Sequence, residues 1–159
     1  MEPLLQLLRT NARETDASLA RMLGISPAAV QEKIAEYERQ GLIRGYRAVV
    51  NEDLASAGDV RAVIELRIRP EHSGGFDRIA QRIGQFPQVE ELFLMSGGYD
   101  LLLFVRGRNL QEVANFVSSE LASLNGVLAT ATHFMLKTYK DQGILMERAQ
   151  HDDRLQVVP

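Results

Sequence analysis

The sequence contains no cysteine and no tryptophan among its 159 residues. Without thiols there can be no disulfide, thiolate metal centre or cysteine nucleophile. Histidine is almost as scarce. His72, His133 and His151 lie far apart, and none shares the close helical spacing of a metal-ligating pair. A metal would have to rest on carboxylates, and no such cluster stands out, so neither a metal nor another cofactor is expected. No apolar run approaches the roughly 18 residues that span a bilayer. Met1-Glu2-Pro3-Leu4 offers no basic stretch ahead of an apolar one, so it does not read as a signal peptide, and the expected compartment is the cytoplasm. An excess of cations, which would argue for nucleic acid, is also missing, because the formal net charge is -3. Residues 1–50 hold seven Lys+Arg against six Asp+Glu, so the acidic excess lies in the remainder.

What is present is the balance of a folded globular chain, 45% apolar and 25% charged. Leu4, Leu5, Leu8 and Ala12 recur at helical spacing. Thr15 can cap a second helix with Leu19, Ala20 and Leu23 inward, although Ser18 stands where a full capping box has Glu. Gly24 ends that helix, and Ile25 is expected to plug the core beneath the turn. Ser26-Pro27 opens a third helix, because Ser caps and Pro at the first helical position loses no needed donor. Val30, Ile34 and Tyr37 face inward, and the helix stops at Gly41. Leu42 to Arg47 reads as a short strand pair, or wing. Three helices with this turn give a winged helix-turn-helix.

Asn51 to Gly58 is polar, lacks a helical period and reads as a hinge. Beyond it, Arg61 to Arg69 alternates, with Ala62, Ile64, Leu66 and Ile68 on one face. Phe76, Ile79, Ala80, Ile83 and Phe86 make an amphipathic helix. Val89 to Met95 and Leu101 to Val105 are strands joined through Gly97-Gly98-Tyr99-Asp100. Asn109 and Glu112 form a capping box for a helix carrying Leu110, Val113, Ala114, Val117, Leu121 and Leu124. Val127 to Tyr139 reads as one long closing strand. The expectation is an α+β chain. Residues 1–50 form a winged helix-turn-helix, 51–59 a hinge, 60–147 a ferredoxin-like βαββαβ domain, and 148–159 a polar tail. In such a sheet the helices cover one face. The other, with Val63, His133 and Met135, calls for a partner subunit, so a homodimer is expected.

Four segments carry a resemblance, in this order and spacing: Leu19-Ala20-Arg21-Met22-Leu23-Gly24-Ile25-Ser26-Pro27, Gly41-Leu42-Ile43-Arg44-Gly45-Tyr46, Ser96-Gly97-Gly98-Tyr99-Asp100-Leu101-Leu102 and Thr132-His133-Phe134-Met135-Leu136-Lys137. With them the chain resembles, over nearly its whole length, the Lrp/AsnC (feast/famine) family of transcription regulators. The resemblance implies a helix-turn-helix that enters the major groove of double-stranded DNA. It also implies dimerisation through the sheet, assembly into higher oligomers such as octamers, and a small-molecule effector, usually an amino acid, held between dimers near the Gly-Tyr-Asp loop. The residues implied for DNA are Ser26, Ala28, Ala29, Gln31, Glu32 and Lys33, with Arg44, Tyr46 and Arg47 on the wing. Those implied for the effector are Gly97, Gly98, Tyr99 and Asp100, with Thr132 and His133.

Two positions depart from the family pattern. Gly98 stands where the loop usually carries Asp, and Glu32 stands where relatives place Arg or Lys. Helical periodicity turns Ala28, Glu32, Ala35 and Glu36 outward, and outward carboxylates repel phosphate, so DNA affinity per dimer is expected to be weak. Bland readings stand beside these: Ser26 as a cap, Gly97-Gly98 as a turn, His133 as an interface residue. Two alternative functions remain open. One is a sirohaem-decarboxylase-like enzyme on this architecture, which would use His133 with Arg106 or Arg108. The other is a sensing module with little or no DNA binding.

Overall fold

The structure, a computed structural model, describes residues 2–55, 58–70 and 75–147. His72, His151 and the tail expected from residue 148 lie outside the described residues. The chain divides into two compact units between Ala48 and Val49.

The first unit holds α1 (Pro3–Thr10), α2 (Asp16–Leu23) and α3 (Pro27–Arg39). Pro3 starts α1 where its missing donor costs nothing. The helix stops short of Ala12 because the Asn11 side chain accepts from the Arg13 N–H at 3.0 Å and so competes with the helical backbone. Leu4, Leu8, Leu19, Ala20, Val30 and Tyr37 form the core, and Ile34 and Ile43 pack against it. Gly24 has φ +67, and the reversal lets the Ile25 N–H reach the Ala20 carbonyl at 3.1 Å. The same reversal leaves Ile25 37% exposed rather than plugging the core. The expected wing is also absent, because residues 42–47 form no strand. The N–H groups of Leu42 and Ile43 both turn back to the Tyr37 carbonyl, at 2.8 and 3.2 Å. Thus the first residues of the would-be hairpin finish α3, and an isolated strand pair is marginal in water.

The second unit begins with α4 (Glu52–Ala55), where the sequence suggested an unstructured hinge. The Asn51 carbonyl accepts from Leu54 and Ala55, and Glu52 and Asp53 favour the positive end of the turn. There follow β1 (Val60–Ile68), α5 (Asp77–Ile83), β2 (Val89–Leu94), β3 (Leu101–Gly107), α6 (Leu110–Asn115) and β4 (Val127–Phe134). The sheet is antiparallel in the order β2-β3-β1-β4. This is the expected split βαββαβ arrangement, with the two strands of greatest apolar alternation at its centre.

One face of the sheet packs under the helices. Ile64, Leu66, Ile68, Leu101, Leu103 and Val105 meet Ile79, Ile83, Phe116, Leu121 and Leu124, and Phe86 stands edge-on to Phe116 with ring centres 5.4 Å apart. Each large side chain buried there contributes roughly 1.5–3 kcal/mol. Helix α6 departs from the expected stripe. After Asn115 it widens into a π-helical turn over Phe116–Leu121, where the Ala122 N–H reaches the Val117 carbonyl at 2.8 Å. Phe116 and Leu121, five residues apart across the widened turn, are buried, whereas Leu110 and Ala114 are exposed. Its capping box is shifted too. Asn109 caps Glu112 as expected, but Glu112 accepts from the Arg108 N–H rather than that of Asn109. The closing strand ends at Phe134 because β1 runs out: Met135 pairs with the Arg61 carbonyl, and the chain then forms a hairpin of β5 (Lys140–Asp141) and β6 (Ile144–Leu145).

Candidate functional site

In the first unit, hydroxyl caps set the helix ends. Thr15 Oγ1 accepts from the Ser18 N–H and Ser26 Oγ from the Ala29 N–H, each at 3.2 Å. Each bond satisfies one orphan donor and is worth about 1 kcal/mol. The caps present α3 with Ala28, Gln31, Glu32, Ala35 and Glu36 exposed. Two side chains on its flanks are drawn back onto the unit. Lys33 Nζ donates to Glu2 at 2.7 Å, and Gln31 Nε2 donates to Asp16 at 2.7 Å. The Lys33 hydrogen bond holds Glu2 below the usual carboxylate range and raises Lys33 in turn. Burial pushes the Tyr37 hydroxyl up to about 12, helped by the nearby Glu2 carboxylate. Arg44, Tyr46 and Arg47 are exposed on the irregular segment after α3. Tyr46 donates to Glu38 at 2.9 Å, and burial followed by that bond raises it.

In the second unit, the loop between β2 and β3 is closed by the Met95 N–H on the Asp100 carbonyl at 2.8 Å, with Gly97 at φ +139. No side-chain-bearing residue adopts that conformation readily. Gly97 and Gly98 are exposed, and Tyr99 and Asp100 are half-buried. Asp100 is already engaged. Its backbone N–H donates to the Leu66 carbonyl at 2.9 Å, and its Oδ2 accepts from the Ile68 N–H at 2.8 Å. The register of β1 against β4 shifts between Arg67 and Ile68, and Asp100 supplies the acceptor for Ile68 beside that irregularity.

Thr132 and His133 sit elsewhere on the sheet, opposite Ile64 and Val63 of β1. Four residues of β1, about 13 Å at 3.3 Å each, separate Ile64 from the residue that Asp100 holds. Within one chain the two groups of predicted effector residues therefore lie apart. His133 is exposed on the sheet face away from the helices, with Nε2 3.4 Å from Glu65. The same face carries Val63, Leu102 and Phe104, and Phe93, 45% exposed, stands perpendicular to Phe104.

A feature that no sequence pattern signalled is the clamp around Arg106. Its guanidinium reaches Glu90 at 2.5 Å, Glu52 at 3.0 Å and Asp59 at 3.5 Å. Glu90 also meets Arg61 at 3.5 Å. These bonds stabilise the charged form of Arg106 and raise it further. Both flanks of the linker, Glu52 and Asp59, are thus tied to β3 across a small polar cleft. The residues concerned are distant in sequence and of common types, so only the pairing of strands could reveal them. Among the described residues no group of His, Asp and Glu is placed to hold a metal, and no helix is long and apolar enough to cross a membrane.

Comparison with known proteins matches both units. Residues 3–38 match the AsnC-type helix-turn-helix domain, and residues 61–145 match the Lrp/AsnC ligand binding domain. The chain is 37% identical to the uncharacterized HTH-type transcriptional regulator YugG of Bacillus subtilis, over 98% of this chain and 95% of that one. It is 30% identical to the proline dehydrogenase transcriptional activator of Rhodobacter capsulatus, over 87% and 90%. Among solved structures, the transcriptional regulator NMB0573/L-Met complex from Neisseria meningitidis superposes with a TM-score of 0.69 at 27% identity, covering 87% of this chain and 88% of that one. A capped helix-turn-helix followed by a ligand-binding split sheet, each matched over its own stretch, places this chain in the Lrp/AsnC family of HTH-type transcription regulators.

Proposed function

We propose that this chain binds double-stranded DNA sequence-specifically and that an amino acid, held between homodimers, adjusts that binding. The observation that carries the reading is α3, capped by Ser26 and presenting an open outward face of Ala28, Glu32 and Ala35. In this reading the N-terminal half of α3, with Ser26, Ala28, Ala29, Gln31 and Glu32, enters the major groove. Arg44, Tyr46 and Arg47 follow the phosphates. Lys33 is turned toward Glu2 and contributes charge more than contact. The bare sheet face with Val63, Phe93, Phe104 and His133 takes a second copy, and dimers assemble further. Exposed backbone at Gly97 and Gly98 could then hold an effector carboxylate, with Tyr99 as a wall and Thr132 or His133 supplied by a neighbouring copy. The neisserial relative's structure is an L-Met complex, which supports an amino-acid effector here. A regulator working on DNA would act in the cytoplasm.

The enzyme alternative loses support from the same geometry. Tetrapyrrole carboxylates would need free cations, yet Arg106 is surrounded by three carboxylates and Arg108 is paired with Glu112 at 3.0 Å. The test is a gel shift at low salt against DNA upstream of the protein's own gene, with and without each of the twenty amino acids. Selective retardation that an amino acid changes is the expected result. Equal affinity for that DNA and random sequence, under every condition, would reject the reading.

A further inference from the structure

We propose that Glu32 is the sequence-selecting residue of α3, accepting a hydrogen bond from the N4 amino group of a cytosine in the major groove; the proposal rests on the DNA-binding reading above. The first argument is position. At 100° per residue, the inward direction set by Val30, Ile34 and Tyr37 places Glu32 within about 15° of the opposite pole. Ala28 and Ala35, about one turn to either side, end at Cβ and are exposed, and the Glu36 carboxylate, one turn on, is engaged by Gln40 at 2.9 Å. It lies in the second turn of the helix, in the half that enters the groove.

The second argument is competition. The other polar side chains of this half of the helix already have partners: Lys33 donates to Glu2 and the Gln31 amide nitrogen donates to Asp16, both at 2.7 Å, while Ser26 Oγ caps the helix. Glu32 makes no hydrogen bond or ion pair among the described residues, so both its oxygens can accept.

The third argument is the chemistry of the base edges. An ionised carboxylate accepts and cannot donate. Guanine offers N7 and O6, both acceptors, and thymine offers O4 and a methyl group. Adenine sets an N7 acceptor beside its N6 donor. Cytosine alone presents a donor, N4, with no acceptor on its own groove edge. A carboxylate at the pole of the helix therefore repels three bases at least in part and accepts from the fourth. Discrimination of about 5- to 150-fold is expected at that position. The same charge repels phosphate, so the side chain that sharpens sequence choice lowers sequence-independent affinity.

Those opposite effects make the test decisive. The full-length protein is used to select duplexes from a random pool at low salt. Binding of wild type, Glu32→Ala and Glu32→Gln is then measured on the selected site, on its single-base variants and on random DNA. Wild type should enrich a site with an invariant cytosine in each half and lose about 5- to 150-fold when that base is changed. Glu32→Ala should accept any base there while binding random DNA more tightly than wild type. Glu32→Gln, which can both donate and accept, should shift the preference to adenine. If Glu32→Ala keeps the wild-type preference at every position, the carboxylate is only a solvated charge and the proposal falls. If wild type enriches nothing, the DNA-binding reading itself is wrong and the proposal falls with it.

Discussion

Asp100 illustrates how a residue can look like a ligand contact and serve the fold. Its carboxylate accepts from the Ile68 N–H at 2.8 Å, in a half-buried place beside the shift in register between β1 and β4. A buried N–H left without an acceptor costs about 1–3 kcal/mol. We therefore expect Asp100→Ala to destabilise the second unit by about that much, with faster amide exchange at Ile68. Asp100→Asn retains an acceptor oxygen and should keep most of the stability while removing the charge. Amide exchange and thermal unfolding of the two variants check this, and equal losses in both would show that the charge rather than the acceptor matters. Ile25 and Lys33 carry the same lesson. An apolar residue and a cation were legible as such, but their directions depend on a left-handed turn at Gly24 and on a carboxylate thirty-one positions away.

At the scale of elements, the linker behaves differently from its composition. Residues 51–58 have no apolar period, which is why they read as a hinge, yet Glu52–Ala55 is helical and Arg106 ties Glu52 and Asp59 to β3. The Asn51 side chain also donates to the Met146 carbonyl at 3.0 Å, fixing the start of the linker to the C-terminal hairpin. Arg106→Ala leaves three neighbouring carboxylates without their shared cation. Hydrogen bonds to charged groups are worth about 1.5–3 kcal/mol each, so α4 should open more often. We expect amide exchange at Leu54 and Ala55 to rise by about tenfold or more, since 1.4 kcal/mol is one decade. Unchanged exchange would mean that the backbone bonds to Asn51 hold α4 by themselves. The helix caps and strand alternation, by contrast, were readable directly, because Thr15, Ser26 and Asn109 act on backbone donors three residues away.

On the scale of the whole molecule, the second unit buries one face of its sheet and leaves the other bare. That face holds Val63, Phe104 and the half-exposed Phe93 beside the His133–Glu65 pair. A contiguous apolar patch rimmed by charge is the mark of an association surface. Phe93→Asp adds a charge at an exposed position, so the fold should survive. We expect a fall in oligomer mass by sedimentation, with unchanged far-ultraviolet circular dichroism, and weaker DNA binding because linked sites no longer act together. An unaltered mass would move the interface elsewhere on the molecule.

Local signals in the sequence determined the helix-turn-helix, the order of strands and helices, and the inward residues of β1 and β3. Capping, left-handed glycines and period-two alternation act over a few residues and are written where they act. Tertiary structure alone decided the missing wing, the π-helical turn that buries Phe116, the early end of β4 and the helical linker. It also decided that Lys33 and Gln31 of α3 are drawn to Glu2 and Asp16 while Glu32 stays open. Those outcomes depend on partners far along the chain: Tyr37 taking the donors of Leu42 and Ile43, β1 ending beneath Met135, Glu2 drawing in Lys33. No local pattern encodes a hydrogen bond whose two halves meet only after the core has closed.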